Sequence, residues 1–156
     1  MPKVDLAAID ETNRTGYPTP YDLDVAGRWY RRLAPTSGIT DFGASLVRLE
    51  PGAWSSQRHW HEGEDELMVM IAGEAVLVED DGRTVLRAGD VAAWPKDVAS
   101  GHHLINESDA ECRFLVVGRH SGQDCHYPDI DLLADGPTDQ YFHKDRTPYR
   151  GSASGA

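Results

Sequence analysis

The chain has 156 residues and a formal net charge of −11, with 15 Lys and Arg against 26 Asp and Glu. An acidic surface of this kind repels a phosphate backbone, so we expect no nucleic-acid partner. No apolar run is long enough for a membrane span or a signal peptide, and two cysteines are too few for a disulfide framework. We therefore expect one domain in the cytoplasm, without a membrane partner.

Residues 1–38 are predicted to form an extended N-terminal arm and a first strand. Pro18 and Pro20 disfavour a helix in the arm. Residues 28–33 fit either a strand or one helical turn, and the turn at residues 35–38 favours the strand of a hairpin. On so acidic a chain, we expect the three arginines of this segment to form solvated ion pairs.

Residues 39–120 alternate short apolar runs with turns, which is typical of an all-β barrel. Asp80-Asp81-Gly82 predicts a hairpin, because Asp-Gly tolerates the positive φ of a type I′ turn. No amphipathic helix is predicted in this region. The strand candidates are residues 39–49, 66–71, 74–79, 84–87, 90–94, 102–106 and 112–117.

Two histidines and a glutamate stand at the centre of this region. His59 and His61 are two residues apart, so both project from one face of a strand, and Glu66 opens the next apolar run. A single histidine would be read as a surface residue, but this combination predicts a metal site. Imidazole and carboxylate ligands suit divalent iron, manganese, nickel, copper or zinc better than calcium.

The spacing of these residues resembles the two motifs of the cupin superfamily over roughly residues 43–120. The first motif is Gly52-x6-His59-x-His61-x4-Glu66-x6-Gly73, and the second includes Gly89-Asp90, Pro95 and Gly101-His102-x3-Asn106. The resemblance implies a double-stranded β-helix, or jelly roll, and the metal ligands His59, His61, Glu66 and His102. His103 is the alternative fourth ligand, because many members have two residues between the glycine and the histidine.

Strand alternation predicts which side chains face the site. Gln57 shares the parity of the two histidines and is expected to contact the substrate, because a polar residue facing inward needs a partner. On the next strand Met68 and Met70 are predicted to face inward. The outward row would be left partly exposed, so the N-terminal arm or a second subunit should cover it, and we expect a homodimer. That row consists of Leu67, Val69 and Ile71.

Residues 121–156 are predicted to form an irregular C-terminal extension that ends in a flexible segment at 151–156. Residues 127–129 and 143–149 resemble the tail of a group of small single-domain cupins, with Arg146 where that group has glycine. Cys125 and His126 form only a weak candidate pair for a soft metal.

Three histidines and one glutamate leave two positions of an octahedral ion open for a substrate. This predicts a small-molecule metalloenzyme of the dioxygenase, lyase or isomerase type, with Gln57 as a catalytic residue. The alternative is a non-catalytic module that binds a metal or a metabolite, because the fold hosts many functions. The sequence does not identify the substrate.

Overall fold

A computed structural model describes residues 3–149, whose regular secondary structure is almost entirely β-strand. Its helical parts are a 3₁₀ turn at Leu6–Ala8 and the single turn α1, Leu33–Thr36. No helix in this part of the chain is long and apolar enough to cross a membrane. The predicted flexible end, residues 151–156, lies outside the described residues. The strands are β1 Arg28–Arg32, β2 Gly43–Leu49, β3 Trp60–His61, β4 Glu66–Ala72, β5 Glu74–Glu79, β6 Gly82–Arg87, β7 Val91–Trp94, β8 His103–Ile105, β9 Cys112–Gly118, β10 Cys125–Tyr127, β11 Leu132–Asp135 and β12 Gln140–Phe142.

The strands form three antiparallel sheets in the arrangement of a jelly roll. The largest has the order β1-β2-β9-β4-β7, a second has the order β6-β5-β8, and a third has the order β12-β11-β10-β3. Hydrogen bonding does not run continuously around the three sheets, so they are not closed into a barrel. The predicted all-β jelly roll is confirmed.

The main core consists of inward-facing side chains of the five-stranded and the three-stranded sheets. On β4, Met68 and Met70 are buried while Leu67 and Ile71 are exposed, which confirms the alternation predicted for this strand. The N-terminal arm leaves Leu67 and Ile71 exposed, so the first of the two expected covers is wrong and the second, another subunit, stays a prediction. The arm instead packs on the third sheet, where Tyr17 and Val25 join Cys125, Tyr127 and Leu132 in a second core cluster.

Both predicted hairpins are present in the first two sheets. Strand β1 pairs over its full length with residues 45–49 of β2, although β2 begins four residues later than expected and α1 occupies the connection. Strands β5 and β6 pair up to Glu79 and Gly82 around a two-residue loop. The positive φ of 147° belongs to Gly82, which is the first residue after that loop.

The C-terminal extension is not irregular, which corrects the prediction. Strands β10, β11 and β12 form a meander, and β10 pairs with β3, so that Cys125 lies opposite His61. Strands of three or four residues are too short to show a period, and their partner lies some sixty residues away. Arg146, found where glycine was expected, has a φ of +66°, and its guanidinium contacts Asp124 and Asp135 at 2.5 and 2.8 Å.

Candidate metal centre

Two strands and one isolated β-bridge bring the predicted ligands together. His61 ends β3, and Glu66 is the first residue of β4. His59 and His102 form an isolated antiparallel bridge, with both backbone hydrogen bonds present, at 3.2 and 2.9 Å. Backbone pairing therefore fixes the relative positions of residues that are far apart in the sequence.

The side chains of these four residues converge on one point. The ligating atoms of His59, Glu66 and His102 all lie within 4.8 Å of one another. His61 Nε2 lies 3.5 Å from one oxygen of Glu66, and His102 Nε2 lies 3.8 Å from the other. The His59 ring lies 4.7 Å from that of His61 and 4.9 Å from that of His102. Together they form the metal cluster, the name used below for these four residues.

The surroundings of the His102 ring fit a bound divalent metal. Both ring nitrogens of His102 are buried and have no hydrogen-bond partner in the structure. A buried polar atom without a partner costs free energy, and a divalent cation accepting a lone pair of His102 would remove part of that cost. The donor set, three imidazoles and one carboxylate, suits such an ion.

The neighbouring histidine has a different environment. Nδ1 of His103 lies 3.0 Å from the carbonyl oxygen of Ser56, and its ring packs edge-on against Trp54 at 4.6 Å. The geometry therefore favours His102 over His103 as the fourth member of the cluster.

Burial and mutual contact set the charges of the cluster. Burial, together with the neighbouring His61 and His102, lowers the pKa of His59 to about 3, so His59 is neutral. Its Nδ1 lies 2.9 Å from the carbonyl oxygen of Gln57, which directs Nε2 to the cluster. Burial alone would raise the pKa of Glu66, but the contacts with His102 and His61 outweigh it and hold that pKa well below its usual range.

Two cavity residues near His61 were missed as site residues by the sequence analysis. Cys125 forms, with His59 and His61, a second group whose ligating atoms lie within 4.8 Å of one another. Glu64 also lines the cavity, with a carboxylate oxygen 3.7 Å from Nδ1 of His61, and burial raises its pKa. Burial by itself would lower the pKa of His61, but the contacts with Cys125 and Glu66 outweigh burial and raise that pKa to about 11.

In the sequence, only its position next to His126 marked Cys125 as a candidate metal ligand. In the structure the two side chains diverge. His126 stacks on Trp60 at 4.3 Å, and its Nε2 lies 2.7 Å from Glu62. Strand alternation on β10 explains this, because adjacent residues face opposite sides of a sheet.

The position of Gln57 corrects the predicted orientation. Its amide nitrogen donates hydrogen bonds to the carbonyl oxygen of Tyr21 and to Asp24, both at 3.0 Å, and its side chain is not among those that line the cavity. Residues 55–58 form bends rather than a strand, so the alternation assumed for them does not apply. Gln57 therefore anchors the N-terminal arm, and this geometry does not support a contact with substrate.

The metal cluster lies in a cavity of about 520 Å³, which is large enough for a small metabolite. Side chains of β1 and of the third sheet form much of its wall. Aromatic rings from the third sheet include Tyr127, which lies 5.8 Å from the His59 ring, and Tyr141.

Comparison with known proteins places this geometry in a family. Residues 45–118 match a family model described as "Cupin domain". A crystal structure of a sugar phosphate isomerase from a cupin superfamily, from Silicibacter pomeroyi, is 37% identical, covers 99% of this chain and 100% of its own, and has a TM-score of 0.90. A Cupin 2 conserved barrel domain protein from Salinispora arenicola is 26% identical over 76% of this chain and 87% of its own, with a TM-score of 0.55.

A curated relative matches over a shorter stretch. The oxalate-binding protein of Thermotoga maritima is 36% identical over 72 residues, which is 46% of this chain. The chain spans only 56% of the length of that relative.

Proposed function

Because the chain belongs to the cupin superfamily, we propose that it is a metal-dependent enzyme acting on a small molecule, and that its reaction is an isomerisation of a sugar or a sugar phosphate. The observation that carries the proposal is the metal cluster inside a cavity of about 520 Å³, with both ring nitrogens of His102 buried and without partners. The relative from Silicibacter pomeroyi, titled a sugar phosphate isomerase, supports this choice of reaction over a dioxygenase or a lyase.

His59, His61, Glu66 and His102 would hold the ion, which would supply Lewis-acid polarisation of substrate oxygens. Neutral His59 and ionised Glu66 match this role, because a cation is bound by neutral imidazole and by carboxylate, and His61, whose pKa is raised to about 11, would release its proton when the ion binds. The side chains around the cluster would orient the substrate and exclude water from it.

Glu64 is the group best placed to move a proton. It is a carboxylate of the cavity wall that belongs to neither of the candidate ligand groups. In an aldose–ketose isomerisation, Glu64 would take the proton from the carbon next to the carbonyl and return it to the carbonyl carbon, while a hydroxyl proton moves to the carbonyl oxygen. Atoms and electrons balance within the substrate, so no co-reactant is needed.

The test is an isomerisation screen of protein loaded with one divalent metal at a time, using aldose and ketose phosphates in deuterated water. Glu64→Gln should keep its metal content but lose about 10²- to 10⁴-fold in kcat, the range expected for general acid–base catalysis. Glu62→Gln is the matched control, because Glu62 pairs with His126 and does not line the cavity. Full metal content without conversion of any substrate, or an unaffected Glu64→Gln variant, would contradict the proposal.

A second candidate is metal-dependent binding of a small dicarboxylate without turnover. It is favoured by the relative from Thermotoga maritima, which is named an oxalate-binding protein. Calorimetric titration of the metal-loaded protein with oxalate separates the two candidates. Tight binding of oxalate, together with no conversion in the isomerisation screen, would favour the binding module.

A further inference from the structure

The arginines of this acidic chain fall into two groups. Among residues 3–149, seven of them lie within ion-pair distance of a carboxylate: Arg31, Arg48, Arg58, Arg83, Arg87, Arg113 and Arg146. Four others in this range have no such partner: Arg14, Arg28, Arg32 and Arg119. Three of these four, Arg14, Arg28 and Arg32, line the cavity that holds the metal cluster. The expectation of ion pairs in β1 therefore holds for Arg31 and is wrong for Arg28 and Arg32.

Strand alternation places Arg28 and Arg32 on the cavity side of β1. Tyr30 lies between them on the same face, and both guanidinium groups lie over its ring, at 5.4 and 5.9 Å from the centroid. Arg31, on the opposite face, donates to the carbonyl oxygen of Ile9 and pairs with Glu11 of the arm. The hydroxyl of Tyr30 donates to the carbonyl oxygen of Arg14, which brings the third arginine to this wall.

Arg28 is the most constrained of the three. Its Nη1 donates to the carbonyl oxygen of Ser55 at 2.9 Å, which ties β1 to the segment that precedes the histidine motif. Its Nε is buried and has no hydrogen-bond partner in the structure. A buried guanidinium donor without an acceptor is costly unless a ligand supplies one, and planar anions such as carboxylate, or phosphate oxygens, match its geometry.

Arg28 and Arg32 of this cavity wall lie on the same face of the five-stranded sheet as Glu66, the member of the metal cluster that this sheet carries. Arg32 pairs with Ser45 on β2, Ser45 with Val116 on β9, and Val116 with Met68 on β4, two residues after Glu66. Three strand spacings, about 14 Å along the sheet, separate β1 from β4. Arginine side chains reach inward across part of that gap, so a ligand of several carbon atoms could contact both ends.

The remaining charges of the cavity leave this wall positive. Its carboxylates are Glu64 and Glu66, beside the histidines, Asp135 at the end of β11, and Asp139 in the β11–β12 connection. Asp135 is already paired with Arg146. None of the four lies within ion-pair distance of the three cavity arginines.

We infer that Arg14, Arg28 and Arg32 form a subsite for an anionic oxygen group, a phosphate or a carboxylate, at one end of a small substrate whose other end reaches the metal cluster. The inference rests on the proposed function for the position of the reacting end, and it names the substrate class: a metabolite with one terminal anion and oxygen atoms several carbons away. The anion subsite itself requires no metal.

The experiment is a titration of inorganic phosphate, and separately of acetate, into chelator-treated, metal-free protein at low ionic strength, followed by NMR. Arg28→Met keeps the aliphatic stem and removes the guanidinium, and we expect it to weaken phosphate binding about tenfold or more. Arg32→Gln removes an exposed side chain at the end of β1 and should weaken binding severalfold while leaving the thermal melt unchanged. Arg119→Gln is the matched control, because Arg119 also lacks a carboxylate partner but does not line the cavity.

Loss of binding in both cavity variants, with binding retained in the control, supports the subsite, and the anion that binds more tightly identifies the ligand class. Equal affinities in all three variants, or phosphate binding that appears only in the metal-loaded protein, would overturn it. Failure of the proposed function has a different signature, namely absence of metal or of turnover in a protein whose metal-free form still binds phosphate through these arginines.

Discussion

The imidazole ring of His102 is held by a ring contact, because neither of its nitrogens has a hydrogen-bond partner in the structure. Its imidazole stacks on Trp94 with the ring centroids 3.9 Å apart and the planes 7° from parallel, and Nε1 of Trp94 donates to Glu79 at 2.8 Å. The three tryptophans at the motifs each contact one histidine, since Trp54 packs on His103 and Trp60 on His126. Aromatic support of this kind orients a metal-binding imidazole as a hydrogen bond from its second nitrogen would.

Removal of that support gives the first prediction. Trp94→Leu should lower the affinity for a divalent metal about tenfold, as loss of a group that orients a ligand does, while the protein stays folded. Competition with a chromophoric chelator measures the change. Trp60→Leu is the control, because Trp60 stacks on a histidine outside the metal cluster. Equal affinities of the two variants would show that the Trp94 stack has no role in metal binding.

A second prediction at this scale concerns Cys125. The four-residue cluster offers more ligands than the group of His59, His61 and Cys125, and it includes the ionised Glu66. We therefore expect the cobalt-substituted protein to lack a thiolate-to-cobalt charge-transfer band, and Cys125→Ser to keep its metal content. A strong thiolate band that disappears in Cys125→Ser would instead assign the thiol as a ligand.

At the scale of elements, two glycines of the first motif adopt left-handed backbone conformations in the connections between strands. Gly73 joins β4 to β5 at a φ of +72°, next to the register shift between β4 and β9. A Cβ at Gly73 would lie 2.7 Å from the carbonyl oxygen of Glu111 and 2.9 Å from Cα of Cys112. Gly52, the other glycine of the first motif, has a φ of +82° but open space around it.

Alanine at these two glycines separates backbone strain from steric clash. Both variants place a side chain in the left-handed region, which costs about 1 to 2 kcal/mol. Gly73→Ala also forces backbone atoms apart, so its free energy of unfolding should fall by about 1 to 3 kcal/mol more than that of Gly52→Ala. Urea denaturation measures both. Equal losses would indicate that β9 moves away from the new methyl group without cost.

Arg58 ties three elements together next to the metal cluster. Its Nε and Nη2 donate to the two carboxylate oxygens of Asp129, at 2.6 and 2.5 Å, after β10. It also pairs with Asp80 in the β5–β6 turn, and its Nη1 donates to the carbonyl oxygen of Gly101 at 3.3 Å. Arg58 therefore connects the loop that precedes His102 to the β5–β6 turn and to the segment after β10.

The pair of Arg58 and Asp129 should make the free energy of unfolding depend on pH. Hydrogen bonding to Arg58 lowers the pKa of Asp129 below its usual value. A carboxyl whose pKa is depressed by folding stabilises the protein fully above its unfolded pKa, about 4, and loses that contribution as the pH falls through the folded value. Because half of the Asp129 side chain is exposed, the effect should be no more than about 1 kcal/mol. Asp129→Asn should flatten the unfolding curve between about pH 5 and pH 2 relative to the parent, and an unchanged curve would contradict the assignment.

For the whole molecule, the outer face of the five-stranded sheet predicts association. Leu67, Ile71 and Val91 are 41%, 50% and 58% exposed on β4 and on the edge strand β7. An apolar row beside an unpaired edge is a surface that a second copy can cover. The homodimer remains a prediction, and this exposed apolar row is the observation that supports it.

Charge introduced into that row tests the association. We expect the parent protein to sediment as a dimer of twice 17.2 kDa, and Ile71→Lys to sediment as a monomer because an unpaired lysine would be buried at the interface. Arg83→Gln on β6 is a control for a surface change elsewhere. A parent protein that sediments at 17.2 kDa at every concentration rules out the dimer.

The sequence by itself determined the features that depend on local order. The alternation along β4 predicted the buried Met68 and Met70. The resemblance to the cupin motifs predicted that His59, His61, Glu66 and His102 would lie together, as their side chains do. The β5–β6 hairpin followed from its turn residues.

Only the tertiary structure decided what depends on pairing between distant segments. Gln57 turns away from the cavity because residues 55–58 bend, and parity holds only where a strand is hydrogen-bonded on its neighbours. Cys125 reaches the cluster through the pairing of β10 with β3, and Arg28 and Arg32 share its cavity through the order of the five-stranded sheet. The Gln57–Asp24 hydrogen bond and the Cys125–His61 pair join residues 33 and 64 positions apart, and no local pattern in the chain encodes such a register.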